Sequence, residues 1–113
     1  MRDRSIRIAN NKHGAWKMSW LLATFKVQDG KQHEFENIME ALIKQVRATE
    51  PNTLLYTLTK SKKLSTEYVM IEQYKSDDDR KAHGQTEYFQ AALPKFMACL
   101  DGNPQMSSLV PVA

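Results

Sequence analysis

The stretch VMIEQYKSDDDRKAHGQTEYF, Val69 to Phe89, gathers side chains suited to chemistry. His83 is the natural proton acceptor, because an unperturbed imidazole titrates near ~6.5 and small shifts bring it to working pH. Glu72 interrupts an apolar run, and a carboxylate buried there needs a partner, since an unpaired buried charge is costly. It orients His83, fixes another polar group, or binds a structural partner. Tyr74, Tyr56 and Tyr88 offer hydroxyls for a ligand oxygen and rings that stack on an aromatic molecule. Tyrosines are also frequent strand formers, so core packing is the competing reading for them, and for the Tyr88-Phe89 pair. The competing reading of His83 is a helix-end residue bonded to a carbonyl.

Other polar groups read more simply. Asp77, Asp78 and Asp79 follow Ser76 and suit the first turn of a helix, where the macrodipole favours acids. His13, His33 and His83 are isolated and lack metal-ligand spacing, so no metal site is expected. There is no Gly-rich phosphate loop and no G-x-S-x-G elbow. Cys99 cannot form an internal disulfide, reads as a small buried hydrophobe, and agrees with a reducing compartment.

A chain of 113 residues suits one domain with one core, and 42% apolar with 26% charged residues argues against general disorder. No apolar run approaches the ~20 residues of a membrane span, and the start has no secretory signal, so a cytoplasmic protein without membrane contact is expected. The net charge of +3 is unevenly placed. Residues 1–17 hold five Lys/Arg and one acid, net +4; residues 18–113 hold eleven basic and twelve acidic groups, net −1. The basicity therefore belongs to a flexible tail, for which Met18 is a natural second start. A body near neutrality, with no aromatic RNP-type stretch, argues against a nucleic-acid partner.

The elements that must position the candidates follow from periodicity. Ser19 to Val27 reads as a strand, with Leu21, Ala23, Phe25 and Val27 on one face and Trp20, Leu22 and Thr24 on the other. Both faces are partly apolar, so both are expected to be covered. From Lys31 to Thr49, Phe35, Ile38, Met39, Leu42, Ile43 and Val46 form one helical stripe, which Glu50-Pro51-Asn52 ends. Thr53 to Lys60 and Thr66 to Tyr74 read as a hairpin. A helix then opens at Ser76, pauses near Gly84 and resumes near Thr86, with a kink expected at Pro94. Gln105 to Val112 reads as an edge strand, because Pro111 cannot donate to a ladder. The order β-α-β-β-α-β predicts an α+β, ferredoxin-like domain over residues 18–113: a four-stranded antiparallel sheet with helices on one face. The other face is left for a homodimer that packs sheet to sheet.

On that frame lie Tyr56-x-Leu58, Glu72-x-Tyr74, Ser76-Asp77, Ala82-His83, Thr86, Phe89 and a terminal Leu109-Val110-Pro111-Val112. In this order they resemble the antibiotic biosynthesis monooxygenase (ABM) domains, which include small cofactor-independent quinol monooxygenases. The resemblance covers roughly Ser19 to Val112. The family pattern carries a second His where this chain has Tyr88. The resemblance implies a dimeric α/β barrel with a pocket between sheet and helices in each subunit. It implies oxidation of a small quinol or polyphenolic, polycyclic aromatic substrate by dioxygen, with no metal, haem or flavin. The Asn/Trp/His set of the haem-degrading branch is not evident. On this reading His83, Glu72 and Tyr74 are the catalytic residues, and Tyr56, Tyr88, Phe89 and Trp20 bind substrate, although Trp20 lines either the pocket or the dimer interface. The alternatives are a non-enzymatic dimeric barrel that binds a small aromatic or stress metabolite, and a non-redox ABM-like isomerase.

Overall fold

A computed structural model describes residues 17–113. Apart from Lys17, the basic tail expected over residues 1–17 lies outside the described residues. The first strand, β1 (Ser19–Lys26), alternates strictly: Ser19, Leu21, Ala23 and Phe25 are buried, while Trp20 and Leu22 are half-buried and Thr24 is exposed. Within the chain the helices cover only the face that carries Ser19, Leu21, Ala23 and Phe25. After a turn at Gly30, whose φ of 93° lies in the left-handed region that glycine adopts without strain, α1 (Gln32–Thr49) lays Phe35, Met39, Leu42 and Val46 on the sheet. Next come β2 (Thr53–Lys60) and β3 (Glu67–Tyr74), whose Tyr68, Met70, Glu72 and Tyr74 are buried. Two helices follow, α2 (Asp77–Gly84) and α3 (Glu87–Met97), and then β4 (Gln105–Leu109).

The sheet order is β2-β3-β1-β4, and every pairing is antiparallel. Strands β1 and β2 run parallel with β3 inserted between them, and β3 and β4 are separated by β1 in the same way. This is the split arrangement of the ferredoxin-like fold. The helices cover one face. Its core centres on Phe25, which meets Phe35 at 5.4 Å and Phe96 at 5.8 Å between ring centroids, with Phe35 4.9 Å from Tyr68. Cys99 is fully buried in this cluster, as expected.

Some boundaries differ from the sequence reading. Val27 forms an isolated bridge to Leu100 and not a continuation of β1. β4 stops at Leu109, paired with Trp20, and leaves Val110 and Val112 exposed, because Pro111 has no N–H to extend the ladder. Helix α3 is continuous across Pro94 and ends three residues later at Met97. Ser76 caps α2 by accepting the Asp79 N–H at 3.2 Å, and Thr86 caps α3 through the Phe89 N–H at 3.3 Å. Among the described residues, no helix is long and apolar enough to cross a membrane.

Candidate active site

The site begins where α1 ends. Pro51 excludes the α conformation from the residue before it, and Glu50 accordingly sits at φ −118°, ψ 83°. This turns its carboxylate away from the helix axis toward α2 and α3. There Glu50 accepts a hydrogen bond from Thr53 Oγ1 at 2.6 Å and another from the Tyr88 hydroxyl. His83 lies in the last turn of α2 with Nδ1 at 3.0 and 3.1 Å from the two Glu50 oxygens. Burial pushes the Glu50 carboxyl up, but the hydrogen bonds from Thr53, Tyr88 and His83 outweigh it and hold it below the ordinary carboxylate value. An ionised carboxylate only accepts, so His83 Nδ1 carries a proton, and in the neutral ring it is Nε2 that offers the lone pair.

His83 is only 4% exposed, and its Nε2 has no hydrogen-bond partner among the described residues. Three aromatic rings enclose the imidazole: Phe89 at 4.8 Å, Tyr56 at 4.9 Å and Tyr74 at 5.6 Å between centroids. A register shift in β2 brings Tyr56 there. Thr53 pairs with Tyr74, but an irregularity between Thr53 and Leu55 makes Leu55 face Gln73 and Tyr56 face Glu72. Without the shift, Tyr56 would pair with Ile71 on the helix-free face, since one residue of slip reverses every side chain.

Glu72 is buried, 6% exposed, and accepts the Tyr74 hydroxyl. Burial pushes its carboxyl up to about 7; Glu50 adds to the rise, and the Tyr74 hydrogen bond and the Arg80 charge oppose it. Burial and the neighbouring carboxylates also raise Tyr56 and Tyr74, so both hydroxyls stay protonated as donors near neutral pH. Arg80 is anchored through Nε to Ser19 Oγ at 3.2 Å. The cluster thus joins two carboxylate pairs, Glu50 with His83 and Glu72 with Tyr74, across a set of aromatic rings.

Of the residues read from the sequence, the fold brings His83, Glu72, Tyr74, Tyr56, Tyr88 and Phe89 together. Trp20 is not among them: it pairs with Gln73 and Leu109 on the face away from the helices. The carboxylate against His83 is Glu50 and not Glu72. In the sequence Glu50 shows only as the residue before a helix-ending proline, which gives no direction to its side chain. The aspartates behave as helix-start groups: Asp79 accepts from Ser76 and from Asn52, and no cluster of metal-ligating side chains occurs among the described residues.

A cleft of about 160 Å³ opens beside the cluster, lined by Glu50, Asn52, Thr53, Asp79, His83 and Thr86 among others. A roomier cleft of about 510 Å³ lies between α1 and β2 and shares none of these residues. Its charged groups are partly matched already, with Lys60 2.7 Å from Glu36 and the Tyr68 hydroxyl on the same carboxylate. Of the cluster, Glu50 and His83 line the smaller opening.

Residues 18–95 match the family described as antibiotic biosynthesis monooxygenase, ABM. A Caulobacter crescentus protein that carries the family's name is 36% identical, with a TM-score of 0.83 over 93% of this chain and 99% of that one. A Pseudomonas aeruginosa protein is 26% identical, with a TM-score of 0.77 over 88% and 98% of the two chains. A Nitrosomonas europaea protein of the same family name, 18% identical, shares the fold with a TM-score of 0.80 over 85% and 91%. No curated protein sequence matches the chain. The chain belongs to the antibiotic biosynthesis monooxygenase family.

Proposed function

We propose that the protein is a cofactor-independent monooxygenase that oxidises a small quinol with dioxygen. The observation that carries this reading is His83: a buried imidazole whose Nε2 has no hydrogen-bond partner among the described residues and whose ring is enclosed by aromatic side chains. A base in a dry aromatic surround suits a phenolic ligand, because the rings stack on it and exclude water while the base takes its hydroxyl proton.

The quinol is itself the reductant. Transfer of its hydroxyl proton to His83 Nε2 leaves an electron-rich anion. Dioxygen takes four electrons, two from conversion of quinol to quinone and two from conversion of a ring C–H to C–OH. One oxygen atom enters the ring and the other leaves as water, so quinol plus O₂ gives hydroxyquinone plus H₂O. Tyr56 donates a hydrogen bond to a substrate oxygen, Phe89 packs on the ring, and Glu72, which holds the Tyr74 hydroxyl, takes or returns the second proton. Tyr88 acts on the carboxylate side of the site.

The helix-free sheet face supports a homodimer. Trp20, Leu22, Val69 and Ile71 are only half-buried there, and Leu55 and Leu109 are exposed. A cytoplasmic location accords with the single buried Cys99.

Oxygen uptake with hydroquinone-type substrates tests the reading. His83→Ala should abolish it, and Tyr56→Phe should lower kcat by about tenfold to a hundredfold, the cost of one buried hydrogen bond to the reacting oxygen. Uptake unchanged in both variants would sink the assignment. Thermal protection by a quinol without any oxygen uptake would leave a binding module.

A further inference from the structure

We propose that Glu50 is the positioning residue of the His83 site, holding the imidazole in the tautomer that presents Nε2 to the ligand. Its role in the reaction rests on reading His83 as the base; its role in fixing the ring does not.

The geometry is specific. Both Glu50 oxygens lie within 3.1 Å of His83 Nδ1, so the N–H is shared between two acceptors in one place. The carboxylate is itself immobilised by Thr53 Oγ1 on one oxygen and the Tyr88 hydroxyl on the other. Tyr88 is held in turn by Thr49 Oγ1, which donates to it at 3.0 Å. These groups come from the end of α1, the start of β2 and the first turn of α3, so three elements fix one carboxylate. The opposite ring nitrogen has no protein partner among the described residues. A ring free to adopt the other tautomer would place its N–H at Nε2 and leave Nδ1 to clash, lone pair against carboxylate. Glu50 removes that alternative. Tyr88 then has a function of its own here: its hydroxyl completes the acceptor set of Glu50.

Long-range ¹H–¹⁵N NMR of the full chain reads the tautomer directly, with His83→Ala identifying the resonances. The neutral ring of the wild type should show a protonated Nδ1 and a bare Nε2. Glu50→Gln keeps the shape but lets the amide NH₂ face Nδ1, and should shift the population toward the Nε2–H form. Tyr88→Phe, which leaves the carboxylate in place, should shift it less. In oxygen uptake, Glu50→Gln should lower kcat by at least about 10²-fold with KM nearly unchanged, since the loss is of base catalysis and not of binding.

A wild-type spectrum with bare Nδ1, or a tautomer ratio that Glu50→Gln leaves untouched, overturns the inference; the wild-type spectrum decides even if a variant fails to fold. If Glu50→Gln moves the tautomer in a protein that consumes no oxygen, the positioning role stands and the monooxygenase reading falls. If His83-dependent uptake persists at full kcat in Glu50→Gln, the reading stands and the positioning role falls.

Discussion

Glu72 makes the thermodynamics of the site measurable. Its carboxyl has an ordinary value of 4.5 and is pushed up to about 7 in the fold, first by burial and then by Glu50, against the Tyr74 hydrogen bond and Arg80. The folded value is the higher one, so the native state holds the proton more tightly than the unfolded chain. Below pH 4.5 both states are protonated and Glu72 costs nothing. Between 4.5 and about 7 the native state alone stays protonated, and stability falls as pH rises. Above about 7 the native state carries a buried carboxylate and the loss is complete. The gap between 4.5 and about 7 corresponds, at ~1.4 kcal/mol per pH unit, to about 3 kcal/mol. Glu72→Gln removes the titration and leaves an amide oxygen to accept the Tyr74 hydroxyl. The stability of the variant relative to wild type should therefore rise by about 3 kcal/mol from pH 4.5 to pH 8. At a urea m-value of ~1.5 kcal/mol/M, that is a relative midpoint shift of about 2 M. The assay is urea unfolding of both proteins across this range, at one protein concentration and followed by circular dichroism. The difference between proteins cancels titrations common to both. A difference that stays flat from pH 5 to 8 would refute the argument, because Glu72 would then be no harder to ionise in the fold than outside it.

Two further outcomes test other parts of the structure. Ile71→Lys puts a charge at the middle of the helix-free face and should convert a micromolar dimer to monomer in sedimentation velocity; a wild-type protein already monomeric there contradicts sheet-to-sheet assembly. Ser76→Ala removes the cap on the Asp79 N–H and should cost about 1 kcal/mol, lowering Tm by roughly 4–8 °C; an unchanged Tm would show that Asp77 to Asp79 hold the first turn without it.

What the sequence determined is local in origin. The stripe from Phe35 to Val46 repeats with the helical period, and those residues lie on the sheet. The alternation of Leu21, Ala23 and Phe25 with Trp20, Leu22 and Thr24 repeats with the strand period, and the former are buried. Ser76 and Thr86 cap helices because a hydroxyl ahead of a helical turn has backbone N–H groups within reach. With the order of elements, these features were enough for the ferredoxin-like arrangement and for the nearness of Glu72, Tyr74, His83 and Phe89.

The tertiary structure decided which groups meet. Glu50 and His83 are thirty-three positions apart, and no periodicity links them. They touch because Pro51 turns the chain at the end of α1 just where the last turn of α2 passes over the sheet. The face on which Tyr56 falls was equally hidden: a one-residue irregularity in β2 sends it toward His83, and such an irregularity depends on how two strands pair. Trp20 and Leu22 are apolar, but the helices of the chain reach only the other side of the sheet. Sequence patterning says which side chains share a face; the layers packed on each face follow from the path of the whole chain.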